Sequence, residues 1–253
     1  MIRELLTFYG NGEATFGSII YKYLEAARIG RPSRLNEILC RHGSDKGTWH
    51  SYPLLYELLF ESLPATPRSI FEIGIGTNNI QVVGNMGATG IPGASHRAWR
   101  EYFPDAIIYG ADHDIGCLFE EKNIHTFFID QNDLTTIHRA WSVAPHLFFD
   151  LIVDDGAHNF EANTLMLDAT YERVNPGGLY IIEDIVLSLS NLARFDAYFS
   201  NRGWDAFILR LPHADNFQDN AVAVVRPKPS VQGKVVSEID LTESSQSIVS
   251  FDE

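Results

Sequence analysis

Five short apolar runs, each broken off by a glycine or an acid, dominate the middle of this 253-residue chain. They are Ser69 to Ile75, Ile107 to Ala111, His125 to Ile129, Leu147 to Val153 and Gly178 to Ile182. Their length, their richness in Ile, Val and Phe and the polar turns after them predict strands buried on both faces. The segments between them are long enough for helical crossovers, so the expectation is α/β: a parallel sheet wound on both sides, Rossmann-like in layout. The pattern then changes. Ala206 to Leu211 and Ala221 to Val225 are joined by a polar loop with no room for a crossover helix, which predicts a terminal antiparallel hairpin at one sheet edge.

Ahead of the first run, Ile19, Ile20, Tyr23 and Leu24, then Leu35, Ile38 and Leu39, are spaced for one buried helical face. Residues 1–62 are therefore expected to form a mostly helical cap or lid, residues 63–227 the sheet domain, and residues 228–253 an acidic, serine-rich tail. Inside the cap, His42 to Tyr52 is too polar and glycine-containing for a core helix and reads as a ligand-carrying loop.

Composition narrows the partners. A formal charge of −14 without a compensating basic stripe argues against nucleic acid. No apolar stretch approaches the roughly 20 residues of a membrane span, and no signal-like leader opens the sequence, so a cytoplasmic location is expected. Cys40 and Cys117 are too few for a disulfide framework or thiolate cluster and are expected to be small buried apolar residues. The helical amino terminus and the long tail point to subunit contacts, hence a homo-oligomer.

The first run leads into Gly74-Ile75-Gly76, where glycines permit a tight turn and close approach of backbone to a ligand. The full G-x-G-x-x-G spacing of a dinucleotide site is missing. The polar, glycine-rich stretch Asn78 to Ser95 then opens a helix at Gly93-Ala94-Ser95, whose free N–H groups could take a carboxylate. The second run ends at Asp112, where folds of this kind place an acid against ribose hydroxyls, with Asp114 as the alternative. The third ends at Asp130-Gln131, a carboxylate and an amide at the expected adenine rim.

The fourth run delivers Asp154-Asp155-Gly156-Ala157-His158 to the same edge, and the fifth ends at Glu183-Asp184. Adjacent carboxylates repel unless a cation or donors compensate them. Neighbouring strands lie roughly 5 Å apart, so the four carboxylates can converge, an oxygen set suited to Mg2+ or Mn2+. His158 lies just past them and is suited to act as a general base.

At these residues the chain resembles a known group. Phe71 to Gly76, Gly93 to Arg100, Tyr109 to Asp112, Asp154 to His158 and Glu183-Asp184 look like the metal-dependent sugar O-methyltransferases of antibiotic biosynthesis, of the mycinamicin and tylosin deoxysugar type. The resemblance covers roughly residues 36–226 and implies a class I methyltransferase sheet that uses S-adenosyl-L-methionine and Mg2+. It implies Asp155, Glu183 and Asp184 as metal ligands and His158 and Asp155 as catalytic residues. Glu72, Gly74, Gly76, Ser95, Asp112, Asp130, Gln131 and Asp154 make up the expected cofactor-binding set. The macrolide enzymes carry a larger amino-terminal region, so the particular sugar does not follow.

The expected reaction is methyl transfer to a hydroxyl of a small, sugar-containing acceptor, with a catechol-like phenol as the second choice. A metal-dependent oxygenase would need two histidines beside a carboxylate, and only His158 adjoins the acids. An NAD-dependent dehydrogenase fits neither the glycine spacing nor the hairpin. A non-catalytic binding protein on the same fold is the remaining alternative.

Overall fold

The computed structural model describes residues 6–82 and 84–227. Among the described residues nine strands form one sheet: β1 (Leu6–Tyr9), β2 (Ser69–Ile73), β3 (Ile107–Asp112), β4 (Glu120–Glu121), β5 (Ile124–Phe128), β6 (Phe149–Asp154), β7 (Val174–Ile182), β8 (Asp205–Arg210) and β9 (Ala221–Arg226). Their spatial order is β1-β8-β9-β7-β6-β2-β3-β5-β4. The five strands expected from the apolar runs (β2, β3, β5, β6 and β7) pair in parallel. The last two form the expected antiparallel pair, with β9 antiparallel to both β7 and β8, but β1 beyond β8 takes the sheet edge at which the hairpin was expected. The tail beyond Pro227 lies outside the described residues.

Seven helices of the described residues flank the sheet: α1 (Gly12–Arg28), α2 (Arg34–His42), α3 (Pro53–Glu61), α4 (Ala94–Tyr102), α5 (Leu134–Val143), α6 (Phe160–Thr170) and α7 (Leu189–Arg202). Several begin with the side-chain caps their sequences offer. Ser33 accepts from Asn36 N at α2, Asp133 from Thr135 N at α5, Asn159 from Ala162 N at α6 and Ser188 from Asn191 N at α7. Because successive strand residues point to opposite faces, the core divides into two layers. Ile70 and Ile181 join Phe16, Leu39, Leu59 and Trp99 beneath α1–α4, whereas Phe71, Tyr180 and Ile182 join Trp141, Met166 and Phe195 beneath α5–α7. Each fully buried large side chain stabilises the fold by about 1.5–3 kcal/mol before entropy is counted.

Two features depart from the sequence reading. Residues 6–9, expected within a helical segment, form β1, which pairs antiparallel with β8 from Leu6↔Leu209 to Tyr9↔Ala206. Four residues are too few to register as a periodic run, yet Thr, Phe and Tyr suit a pleated edge. Cys40 is exposed on α2 rather than buried, while Cys117 is buried and its thiol is pushed up to about 12 by burial and the nearby Asp112. Among the described residues, no helix is long and apolar enough to cross a membrane.

The register aligns the carboxyl ends of the central strands, with Ile73 opposite Ala111 and Asp154, and Asp154 opposite Ile182. Onto this edge comes the connection between α2 and α3, which includes a short 3-10 turn at Asp45–Gly47.

Candidate active site

A cavity of about 840 Å3 opens at this edge, within the size range of small-molecule sites. The turn after β2, the first turn of α4, the ends of β3 and β5, the Asp155–Asn159 turn, the Glu183-Asp184 pair and the 43–50 connection all line it. Gly74, Gly76, Ser95, Asp112, Asp130, Gln131, Asp155, His158, Glu183 and Asp184 are among the lining residues. Glu72 and Asp154 are fully buried and do not line it.

On the cofactor side, Asp112 shapes the glycine turn. Its Oδ2 accepts from Ile75 N at 2.9 Å and Gly76 N at 3.2 Å, and its Oδ1 from Asp114 N at 2.9 Å. Asp114, the alternative acid, takes the Thr77 hydroxyl and Gly116 N and stands outside the lining. Gly74, at φ +100°, brings the backbone against the Asp155 carbonyl more closely than a side chain would permit. No side chain caps α4, so its first turn at Ala94 and Ser95 faces the cavity without one. Gln131 is braced rather than free: its Nε2 donates to Asp154 Oδ1 at 2.6 Å and its Oε1 accepts from Ala157 N at 2.7 Å. Asp154 also accepts from the Tyr180 hydroxyl at 3.1 Å, and burial pushes its carboxyl up to about 6.

The acidic side is organised around a residue that sequence reading missed. Lys46 is 2% exposed, and its ammonium donates to Asp155 Oδ2 at 2.6 Å and to Glu183 Oε2. It also stands 3.1 Å from Glu72 Oε1, an ionic contact rather than an aligned hydrogen bond. Burial would lower the Lys46 pKa, but Asp155, Glu183 and Glu72 outweigh it and hold the group well above its usual range. Glu72 is held further by the Trp99 indole, which donates at 2.6 Å.

Helix α3 and the residue before it add two phenols. The Tyr52 hydroxyl donates to Asp184 Oδ1 and the Tyr56 hydroxyl to Glu183 Oε1. His50 stacks on Tyr52 with ring centroids 4.8 Å apart and places Nδ1 3.3 Å from Asp184 Oδ1. The available signals were the loop's Asp45-Lys46-Gly47 and the i, i+4 spacing of Tyr52 and Tyr56, the latter indistinguishable from an ordinary core stripe.

His158 and Asp184 both adopt positive φ, at 50° and 52°, and turn towards each other across the cavity. His158 Nε2 lies 3.2 Å from Asp155 Oδ1 and 3.5 Å from Asp184 Oδ2. Burial disfavours its charge, but the bond to Asp155 and the charges of Asp184 and Asp155 prevail and push it up to about 10. Burial would likewise raise the Asp155 pKa, yet Lys46 and His158 hold it far below the usual carboxylate range. Ligand atoms of Asp155, His158 and Asp184 lie within 4.8 Å of one another, close enough to share one ion. The oxygens of Asp155 and Asp184 suit a hard divalent cation, while both Glu183 oxygens are engaged by Lys46 and Tyr56.

No protein-family model matches the chain. It is 34% identical over 163 residues to the 8-demethyl-8-(2-methoxy-alpha-L-rhamnosyl)-tetracenomycin-C 3'-O-methyltransferase of Streptomyces olivaceus, a match covering 64% of this chain and 39% of that protein. The 8-demethyl-8-alpha-L-rhamnosyl tetracenomycin-C 2'-O-methyltransferase of the same organism is 32% identical over 149 residues, covering 58% and 36%. The chain thus spans about two fifths or less of the length of these relatives. In backbone it is similar to the MycE methyltransferase from the mycinamycin biosynthetic pathway, solved with Mg, SAH and mycinamycin VI. That match has a TM-score of 0.58 at 23% identity and covers 83% of this chain and 58% of MycE. The likeness gives the chain the class I methyltransferase fold that its sequence resemblance implied.

Proposed function

We propose that this chain is an S-adenosylmethionine-dependent O-methyltransferase that uses a divalent metal ion and acts on a hydroxyl of a sugar carried by a natural product. One observation carries the reading: the glycine turn with its acid-capped bay and the Asp155-His158-Asp184 constellation open into the same cavity. A methyl donor and an activated hydroxyl therefore have room to meet. The tetracenomycin relatives, named for O-methylation of rhamnosyl compounds, support a glycosidic acceptor.

On this reading residues 63–227 carry the donor and residues up to 62 supply groups that hold the acids. The glycine turn and the open first turn of α4 bind the polar parts of the donor, and Asp130 borders its far end. Asp155 and Asp184 would hold the ion, with Glu183 beside them. An ion held there would supply positive charge that favours loss of a proton from a nearby hydroxyl and offsets the two carboxylates that keep a proton on His158. His158 then takes the hydroxyl proton as the oxygen attacks the sulfonium methyl, the electron pair of the broken C–S bond staying on sulfur. Asp155 orients the imidazole through its 3.2 Å contact.

The test is methyl transfer from labelled S-adenosylmethionine to a panel of rhamnosides, free sugars and catechols, with and without EDTA. Transfer to a rhamnoside that EDTA abolishes is expected. Absence of donor binding by calorimetry would defeat the reading, and transfer confined to catechols would move it to phenolic acceptors.

A further inference from the structure

The most unusual group in the molecule is a fully enclosed ammonium in the middle of the acidic cluster. Lys46 comes from a three-residue turn in the amino-terminal segment, yet it reaches carboxylates on or just after three different strands: Glu72 in β2, Asp155 after β6 and Glu183 after β7. Among the described residues, Glu72 has no other nearby cation than the buried His96, at 3.6 Å and disfavoured in its charged form by burial. Taking the ammonium away would leave Glu72 and Glu183, each no more than 1% exposed, as buried carboxylates without a counter-charge. The lysine is thus fixed in the site by what surrounds it.

We propose that Lys46 is a positioning residue, a resident cation that holds Glu72, Asp155 and Glu183 in register and tempers the strength with which the site grips a divalent ion. It occupies Asp155 Oδ2 and Glu183 Oε2, leaving Asp155 Oδ1 and Asp184 Oδ2 turned towards His158. A permanent positive charge beside an ion site repels the ion, so the same residue that orders the carboxylates keeps the ion exchangeable. The inference rests on the metal-dependent reading above.

The test uses Mn2+ alone, followed by electron paramagnetic resonance and by thermal shift, on wild type, Lys46→Gln and Lys46→Arg. A unit charge within about 8 Å of a divalent ion, at an effective dielectric of 20–40, is worth at least about tenfold in affinity. Lys46→Gln should therefore bind Mn2+ at least about tenfold more tightly than wild type while its turnover falls, and Mn2+ should raise its melting temperature more than that of wild type. Lys46→Arg keeps the charge and should stay within about threefold of wild type in Mn2+ affinity. A merely structural lysine would give the opposite sign: a damaged site binding Mn2+ equally or more weakly, which would overturn the proposal. Because the thermal shift is read on marginally folded protein too, loss of stability in Lys46→Gln leaves the comparison intact. A wild type that binds no Mn2+ would defeat the underlying metal reading instead.

Discussion

Replacing Gly74 by alanine tests whether the close approach of two strand ends builds the site. Gly74 sits at φ +100°, and a Cβ there would lie 2.6 Å from the carbonyl carbon of Asp155 and 3.2 Å from Gly156 N. The Asp155 carbonyl oxygen would lie closer still, and ordinary contacts begin near roughly 3.2–3.5 Å, so the Asp155 backbone has to retreat by more than about 1 Å. That backbone is tied by Asp155 N donating to Ile73 O at 2.9 Å, and its side chain by the 2.6 Å bond from Lys46. The strained φ costs about 1–3 kcal/mol and a weakened buried hydrogen bond about 1 kcal/mol more, with further loss from the displaced carboxylate. A total of about 3–5 kcal/mol corresponds to a fall in melting temperature of roughly 6–20 °C in a chain of this size. Gly203→Ala is the control: its φ is +66° and nothing lies within 4 Å of the added carbon, so it carries strain without a clash. Differential scanning fluorimetry should show Gly74→Ala losing several degrees more than Gly203→Ala, with S-adenosylmethionine affinity reduced only in the former. Equal losses in the two variants would refute the argument that contact with Asp155 is what Gly74 permits.

Three further outcomes follow from the site. His158→Ala should keep donor affinity by calorimetry and lose turnover by about 10²–10⁴-fold, and unchanged turnover would remove the imidazole from the reaction. Tyr56→Phe deprives Glu183 of a buried donor and should cost about 1–3 kcal/mol, read as an earlier midpoint in urea; an unshifted midpoint would mean that the hydroxyl bond contributes nothing. Asp154, pushed up to about 6 in the fold against about 3.9 in an unfolded chain, is linked to stability that is complete below about pH 4 and lost as pH rises through 6. Asp154→Asn should therefore gain on wild type between pH 4 and 7.5, by up to about 3 kcal/mol, and a stability difference independent of pH would contradict the assignment.

Much of the fold was legible because its signals are local. Each parallel strand announces itself by an apolar run ending in a glycine or an acid, and the register then brings Asp112, Asp155 and Glu183 to one edge without any long-range information. His158 was legible for the same reason, lying three residues after Asp155 on one turn. Lys46 was not, because it meets Asp155 across 109 residues and Glu183 across 137, and no periodicity encodes such a meeting. Tyr52 and Tyr56 look like core residues and are core residues along their rings; only their hydroxyls belong to the site. Glu72 and Asp154 read as ligand-facing acids, whereas the structure sets both in the interior, where Trp99 and Lys46 attend one and Gln131 and Tyr180 the other.

The pairing of residues 6–9 with β8 bears on how firmly one wall of the chamber is held. The segment is stitched into the sheet at one end and packed through α1 to α3 into the same apolar layer. Its connection between α2 and α3 runs from Gly43, at φ +82°, towards Ser51, whose N–H donates to Asn220, and lines the chamber on the way. Because Lys46 belongs to that connection, the stretch that walls the chamber also grips the carboxylates, so a substitution that loosens its anchors would be felt at both.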